Sequence, residues 1–166
     1  NALPLTRRVN VFDREYFQQS LTTRSFAIGT FQFDRVAQRT SVNFSFPIIS
    51  TTNNEVLGLV VSVVSLNWWS KQLAEYNLSN ESIVIISDSN EKVVANFPAN
   101  PDKHGKPIAS YGLKISSQEE YNLKAEMISG EDGVRRIFTH QTLYKKENGR
   151  NVTVSVGIPI EKALVD

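Results

Sequence analysis

The chain has 166 residues, with 18 lysines and arginines against 17 aspartates and glutamates, two histidines and no cysteine. Its net charge of +1 lacks the concentrated basic excess that nucleic-acid binding requires. The absence of cysteine excludes disulfides, zinc sites built on thiolates and cysteine nucleophiles. With 40% hydrophobic and 21% charged residues, the composition is that of a globular protein, long enough for one domain or two small lobes.

A short helix is the first element predicted along the chain, and it begins after Asp13. Asp13 is a favourable N-cap, and Phe12 and Phe17 have the spacing of a hydrophobic staple. Phe17 and Leu21 lie four residues apart and therefore share one face of this helix.

Three strands are predicted after this helix. Apolar residues alternate with polar ones over 26–33 and 41–49, which predicts half-buried strands. Residues 56–66 are nearly all apolar, but the run is much shorter than the roughly 20 residues of a membrane span and therefore predicts a buried strand. Short polar connections between the strands favour an antiparallel meander.

A second helix, over residues 68–76 with Asn67 as its N-cap, leads into a second block of elements. Ser117 and Glu120 have the spacing of a capping box that opens a further helix. The elements predicted in this block are strands over 82–87 and 92–97, a helix over 117–129, and strands over 134–143 and 152–158. The chain as a whole therefore predicts an α+β fold in which antiparallel sheets are flanked by helices.

Residues suited to catalysis are scarce. His104 lies in a proline-rich loop and His140 lies in the middle of a predicted strand, and their spacing is not that of a metal site. The sequence contains no nucleophile elbow and no phosphate-binding glycine loop. We therefore expect surface or core roles for both histidines, no metal, no cofactor and no enzymatic activity in this chain.

The first block concentrates aromatic and basic residues. A small-molecule pocket requires an apolar wall with a few fixed polar groups, and arginine binds carboxylates bidentately. If the first helix packs across the sheet, its first turn faces the polar side of the strands. The residues that we predict to contact a ligand are Arg14, Tyr16, Phe17, Phe31, Phe33, Arg39, Asn43, Ser45 and Ser62.

An ordinary core explains the same residues equally well. In that alternative Phe17, Phe44 and Phe46 only pack, and Arg14 forms an ion pair with Asp13 or Asp34. The residues by themselves leave both the pocket and the core open.

The segment VFDREYFQQSL at residues 11–21 is similar to a "DRxYF" segment of a known family. Further similar segments follow in the same order along the chain, at residues 26–29, 41–48, 58–61, 66–69, 85–90 and 132–136. Together they resemble the double Cache domains, which are extracytoplasmic PAS-like sensor modules of bacterial chemoreceptors, histidine kinases and diguanylate cyclases.

This resemblance implies a membrane-distal, ligand-binding PAS-like lobe over residues 1–77 and a membrane-proximal PAS-like lobe over residues 78–166. In the family a long N-terminal helix and two further strands precede the "DRxYF" segment, so the resemblance implies that the distal lobe is partial in this chain. It also implies the periplasmic part of an inner-membrane receptor that senses a small molecule and passes a conformational change across the membrane. Homodimerisation is expected to use the helix that this chain lacks.

The resemblance also bears on the ligand. In amino-acid-binding members an arginine and an aromatic residue of this segment hold the ligand carboxylate, which corresponds to Arg14 and Tyr16, and an acid on the last strand of the lobe holds the amine. Residues 61–64 offer no acid, and an ammonium without an anionic partner in an apolar pocket costs several kcal/mol. We therefore expect a small carboxylate or another small anion, or no ligand, and not an amine.

The leading hypothesis is a sensor domain without enzymatic activity. The alternative is a PAS-like structural or protein-interaction domain with no small-molecule ligand, in which the phenylalanine-rich strands only pack. Mutation of Arg14 distinguishes the two, because only a sensor loses ligand-dependent stabilisation.

Overall fold

The computed structural model describes residues 9–76, 78–79, 81–113, 126–143 and 152–163. They belong to two compact units, of which unit 1 ends at Leu66 and unit 2 begins at Asn67. The sequence places the boundary after residue 77, whereas the structure assigns the helix between the two blocks to unit 2.

In the part that the structure describes, unit 1 contains one helix and four strands. They are α1 (Glu15–Thr23), β1 (Ala27–Ile28), β2 (Gln32–Asp34), β3 (Arg39–Ile49) and β4 (Val56–Ser65). β3 is the central strand, which pairs antiparallel with β4 along one edge and with β1 and then β2 along the other. The predicted meander is confirmed, although the strand predicted over 26–33 is divided into β1 and β2.

The pairing registers of β1 and β2 with β3 differ by one residue. β1 pairs Ile28 with Phe44, whereas β2 pairs Gln32 with Ser41. Four steps along this edge therefore match three steps along β3, which is a β-bulge of one extra residue between the two short strands. Because side chains alternate along a strand, the bulge changes which residues of β2 point to each face of the sheet.

α1 begins one residue later than predicted. Its N-cap position is held by Arg14, in an extended conformation and without a side-chain capping bond. The Asp13 carboxylate is instead bound by the Arg35 guanidinium at 2.7 and 2.8 Å, so the predicted Asp13 cap is wrong. The predicted contact between Phe12 and Phe17 is confirmed, because their ring centroids are 6.0 Å apart, but with Arg14 at the N-cap the two residues lie one position before those of a hydrophobic staple.

Unit 2 contains a five-stranded antiparallel sheet in the strand order β6-β5-β9-β8-β7. Its described elements are α2 (Leu66–Glu75, whose first residue belongs to unit 1), β5 (Ile83–Ser87), β6 (Val93–Phe97), two short 3-10 helices (Pro101–Lys103 and Ile108–Tyr111), β7 (Glu126–Ser129), β8 (Arg135–Thr142), β9 (Thr153–Pro159) and α3 (Ile160–Ala163). A buried apolar cluster of this unit consists of Ile85, Val93, Ile108, Leu113 and Phe138. Gly157 lies opposite Phe138 on β9, and a side chain there would collide with the ring.

The second block differs from the prediction in two places. The final part of the helix predicted over 117–129 is a strand, because Met127 pairs with Ile137 and the backbone groups of β7 bond to β8 instead of to a helical turn. Residues 117–125 of that predicted helix lie outside the described residues, as does the predicted turn over 144–151. α2 follows β4 directly, so Asn67 lies inside the helix and is not its cap.

Candidate functional site

α1 lies on one side of the unit 1 sheet, which we call the covered face and define as the side to which Ser41, Asn43 and Ser45 of β3 point. The Ser45 hydroxyl donates a 2.8 Å hydrogen bond to the carbonyl of Tyr16 in α1. Tyr16 and the three β3 residues are all buried. The expectation that the first helix packs over the polar side of these strands is confirmed.

A buried carboxylate, Asp34, organises the covered face. Its Oδ2 accepts a 2.7 Å hydrogen bond from the Asn43 amide, and the Asn43 Oδ1 accepts one from the Ser41 hydroxyl, also at 2.7 Å. The Asp34 Oδ1 accepts the backbone amides of Val36 at 2.9 Å and Ala37 at 2.6 Å, which closes the turn between β2 and β3. Within the described ranges, no basic side chain lies at salt-bridge distance from Asp34.

Tyr16 fills the space between α1 and the bulge. Burial raises the pKa of its phenol, and the Asn43 side chain opposes part of that rise. Its ring touches Gly29, where a Cβ would come within 3.2 Å of the Tyr16 Cδ1. The absence of a side chain at Gly29 therefore lets the aromatic ring lie against the sheet backbone.

Arg14 lies at the N-cap position of α1, at the rim of the covered face. Its Nη2 donates to the Phe33 carbonyl at 3.1 Å. Among the residues that the structure describes, no carboxylate pairs with this guanidinium, because Asp13 pairs with Arg35 and Asp34 is bonded elsewhere. The alternative that gives Arg14 an ion pair with Asp13 or Asp34 is therefore wrong, and within the described residues its guanidinium bonds to the Phe33 carbonyl alone.

The structure brings together four of the nine predicted ligand contacts, namely Arg14, Tyr16, Asn43 and Ser45. Phe33 and Ser62 do not join them. In register, Phe33 lies opposite Thr40 and Ser62 lies opposite Phe44, so both point away from α1, and both are exposed. For Phe33 the physical reason is the bulge.

The other three predicted contacts lie at the margins of the site. Arg39 is exposed at the hairpin end and donates from Nε to the Ala37 carbonyl at 3.2 Å. Phe17 packs against Phe12 at the start of α1. Phe31 is partly buried within the bulge.

Gln32 and Asp34 lie on the covered face, and the sequence pattern does not select them. Strict alternation from β1 would place Phe31 on the covered face, whereas the extra residue of the bulge places Gln32 and Asp34 there. Gly29 is the signal that could have found the bulge, because a glycine inside a predicted strand often marks one.

The opposite side of the sheet, which we call the outer face and define by Val42, Phe44 and Phe46 of β3, is apolar, and it is open around Phe46 but closed at the buried Val42. Phe46 is 59% exposed and Val60 of β4 is 59% exposed. Phe44 stacks on Phe26 with ring centroids 6.0 Å apart. The core role expected for Phe46 in the packing alternative is therefore wrong.

Both histidines take part in side-chain contacts within unit 2. His140 Nδ1 lies 2.8 Å from the Ser155 Oγ, and its ring stacks on Phe138. His104 Nε2 lies 3.2 Å from the Ser70 Oγ, and burial lowers the pKa of His104. No group of three or more metal-ligating side chains occurs in the part of the chain that the structure describes. None of the described helices is long and apolar enough to cross a membrane.

No protein-family model matches the chain, and no curated protein matches it in sequence. Solved structures do match it. The ligand-binding domain of the Pseudomonas fluorescens chemoreceptor CtaA in complex with L-isoleucine superposes with a TM-score of 0.67 at 13% identity, covering 93% of this chain and 60% of that one. The ligand-binding domain of the Pseudomonas aeruginosa amino acid chemoreceptor PctB in complex with L-Arg gives 0.65 at 12% identity, covering 98% and 66%.

The periplasmic sensory domain of the Campylobacter jejuni chemoreceptor Tlp1 gives a TM-score of 0.63 at 15% identity, covering 91% of this chain and 56% of that one. This chain therefore spans between 56% and 66% of the length of these three solved chains. At such identities the likeness establishes the fold. It confirms the α+β architecture of antiparallel sheets that the resemblance to sensor domains predicts.

Proposed function

We propose that this chain is the ligand-sensing part of a bacterial transmembrane receptor and that unit 1 binds a small organic molecule through its carboxylate. The fold shared with chemoreceptor ligand-binding domains supports the sensing role. The observation that carries the proposal is the Arg14 guanidinium, which has no acidic partner in the described chain and lies beside a helix-covered face lined with buried polar groups.

The chemistry of this site is binding and orientation. An arginine holds a carboxylate with two parallel hydrogen bonds, and partial burial strengthens such bonds relative to water. A ligand that contacts Arg14 on the helix and the sheet beneath it favours conformations in which the two layers are held together. Such a ligand shifts the population of receptor states. The same proposal gives this chain a periplasmic location. It assigns inner-membrane anchoring, homodimerisation and any catalysis to parts of the receptor outside this chain.

Asp34 bears on whether the ligand also carries an amine. It is the only buried carboxylate described in unit 1, and β4 has no acid. Both Asp34 oxygens already accept hydrogen bonds, from Asn43 and from the turn after β2. We therefore retain a carboxylate without an amine as the ligand class, and treat an amino acid, the ligand of the CtaA and PctB structures, as the competing outcome.

Thermal unfolding with 4-methylpentanoate and with L-leucine, which differ by the amine, tests this proposal. At 100 times its dissociation constant a ligand stabilises the folded state by about 2.7 kcal/mol. We expect 4-methylpentanoate to raise the unfolding midpoint, and Arg14→Ala to abolish the rise. Arg135→Ala, which removes an exposed arginine of unit 2, is the matched control and should retain it.

Three results contradict the proposal. Stabilisation by L-leucine but not by 4-methylpentanoate overturns the ligand class. An undiminished rise in Arg14→Ala overturns the assigned anchor. No rise with either compound overturns carboxylate binding by unit 1.

A protein-interaction domain without a small-molecule ligand is the second candidate, and the open outer face supports it. Contiguous exposed apolar residues such as Phe46, Ile48 and Val60 are typical of surfaces that bind another macromolecule. In that case sedimentation velocity should detect association of the chain that Phe46→Ser removes and Arg14→Ala leaves unchanged. A monomer at all concentrations would count against self-association through this face.

A further inference from the structure

We propose that the docking of α2 on the rest of unit 2 depends on pH, and that protonation of His104 loosens it. His104 lies in the loop over residues 98–107 that follows β6, and its Nε2 is 3.2 Å from the Oγ of Ser70 in α2. We call the state in which these two side chains are in contact the docked state. Because both residues belong to unit 2, this contact is independent of the ligand proposed for unit 1.

Ser70 lies on the buried side of α2. It is 8% exposed, and Leu66, four residues earlier on the same face, is fully buried. Lys71 and Glu75, which are also four residues apart, lie on the exposed side of the helix. At Ser70 the buried side of α2 therefore makes a polar contact with the histidine ring instead of an apolar one.

His104 is held on the other side of the contact by the backbone of its loop. Its amide donates to the Pro101 carbonyl at 3.1 Å, and the amide of Gly105 donates to the Val93 carbonyl of β6 at 2.8 Å. The Val93 amide in turn donates to the Lys106 carbonyl at 2.9 Å. Because the loop is bonded to the sheet directly after the ring, we expect α2, and not the loop, to move when the contact weakens.

No charge at this contact balances a protonated imidazole. In the described chain no carboxylate lies at ion-pair distance from His104, and Lys103 beside it pairs with Glu131. The charged residues of α2, of the loop and of the turn bonded to the loop are Lys71, Glu75, Glu91, Lys92, Asp102, Lys103 and Lys106. Among the described residues burial alone shifts the pKa of His104, and it lowers that pKa from the ordinary value of 6.5.

Protonation leaves the hydrogen bond to Ser70 intact, because the N–H of an imidazolium can donate to a hydroxyl. It changes the solvation of the ring, since a charge without a partner is unfavourable away from water. The docked state therefore binds the proton more weakly than a state in which α2 has moved and water reaches His104. Docking is strongest above the ordinary pKa of 6.5 and weakens as the pH falls from there towards the lowered pKa of the docked state, by up to about tenfold per pH unit.

Tryptophan fluorescence tests this proposal, because both tryptophans of the chain, Trp68 and Trp69, lie in α2. We expect acrylamide quenching of their fluorescence to rise between about pH 7 and about pH 5, the range in which histidine titrates, while the far-ultraviolet circular dichroism stays constant. His104→Gln keeps a group that can bond to Ser70 but does not titrate, so it should lose the pH dependence. His140→Gln removes the other histidine of the chain, is the matched control and should retain it.

Ser70→Asp should reverse the effect. A carboxylate beside His104 favours the imidazolium and raises the pKa of the ring, so acrylamide quenching should then fall as the pH is lowered. This variant decides the matter if His104→Gln does not fold, because an unreversed response then overturns the proposal.

Three other results also overturn it. One is quenching by acrylamide that is constant in the wild type over this range, even if the fluorescence intensity changes, because the charged ring then acts on tryptophans that have not moved. Another is an undiminished rise in His104→Gln. The third is a loss of circular dichroism together with the rise, because the whole fold and not α2 alone then responds to pH.

Discussion

The covered face of unit 1 and the buried apolar cluster of unit 2 contain different kinds of side chain. Beneath α1, the β3 residues of unit 1 are Ser41, Asn43 and Ser45, and hydrogen bonds to Asp34 and α1 hold them. The buried cluster of unit 2 is entirely apolar and includes Phe138. Apolar burial stabilises by about 25 cal/mol per Å², whereas a buried hydrogen bond contributes only about 1 kcal/mol net and costs more than that when a partner is lost.

This difference indicates two roles, stabilisation of the fold and binding of a polar molecule. The apolar cluster of unit 2 stabilises the fold by close packing, whereas the buried polar groups of the covered face in unit 1 require specific hydrogen-bond partners. A buried polar sheet face contributes less to the stability of the fold than an apolar core does, but its hydrogen-bonding groups are suited to binding a polar molecule. Each prediction below tests one side of the contrast.

Phe138→Ala should have the largest effect. It removes a ring that is 2% exposed and that the missing side chain of Gly157 accommodates, and such truncations cost about 3–5 kcal/mol. Urea unfolding followed by circular dichroism measures the loss. Phe46→Ala, which truncates a 59% exposed phenylalanine, is the control and should change stability by less than about 0.5 kcal/mol. Similar losses in both variants would remove the distinction between the core of unit 2 and the outer face of unit 1.

Asn43→Ala should rank second. It leaves the Asp34 Oδ2 and the Ser41 hydroxyl buried without their partner, for which we expect a loss of about 3 kcal/mol in urea unfolding. Asn53→Ala, in the exposed turn before β4, should cost less than about 1 kcal/mol. If the two variants are equally stable, hydrogen bonding does not hold the covered face together.

A pH effect in unit 2 should be smaller. The buried Arg136 guanidinium bonds to Asp132 at 2.5 and 2.9 Å, and this hydrogen bonding lowers the pKa of Asp132 from 3.8 to about 2. Because the folded pKa lies below the unfolded one, the pair stabilises above about pH 4, and that stabilisation is lost as pH falls towards 2. Asp132 is 49% exposed, so we expect about 1 kcal/mol.

The difference in urea midpoint between the wild type and Asp132→Asn measures this effect. It should be larger at about pH 6 than at about pH 2.5. A difference that does not change with pH would show that the ionisation of Asp132 contributes nothing to unit 2.

Lys162→Ala should have the smallest effect. Lys162 pairs with Glu81 at 2.6 Å, but the two side chains are 52% and 55% exposed, and exposed pairs contribute about 0.5 kcal/mol or less. Urea unfolding should therefore hardly distinguish this variant from the wild type. A loss above about 1 kcal/mol would mean that surface charge, and not packing alone, stabilises unit 2.

The elements with a local signal could be predicted from the sequence. β3 and β4 follow from alternation and apolar runs, and α1 follows from the spacing of its apolar residues, of which Phe17 contacts Phe12. The errors concern partners that are distant in the chain. Asp13 binds Arg35, 22 residues away, instead of capping its own helix, and Glu126–Ser129 becomes a strand because β8 lies beside it.

The residues of the candidate site also differ in whether a local sequence signal could identify them. Arg14 and Tyr16 follow from the resemblance to sensor domains, and Asn43 and Ser45 follow from the polar positions of an alternating strand. Gln32 and Asp34 could not be found in this way, because alternation predicts the face of each side chain only when the strand has no bulge. At a bulge two residues of one strand lie opposite one residue of its partner, and the composition of the strand does not reveal this.

The bulge before β2 has a consequence for how such a site can change. The loop between β2 and β3 has four residues, 35–38, and the Asp34 bonds to Val36 and Ala37 fix its start. If the same loop took in one more residue, the strand before it would slip into regular register, and Phe31 and Phe33 would replace Gln32 and Asp34 beneath α1. The polarity of the site thus depends on whether one extra residue lies in the bulge between β1 and β2 or in the loop between β2 and β3. An insertion or deletion in this short hairpin could convert an amide-and-acid lining into an aromatic one without a single substitution in α1 or β3.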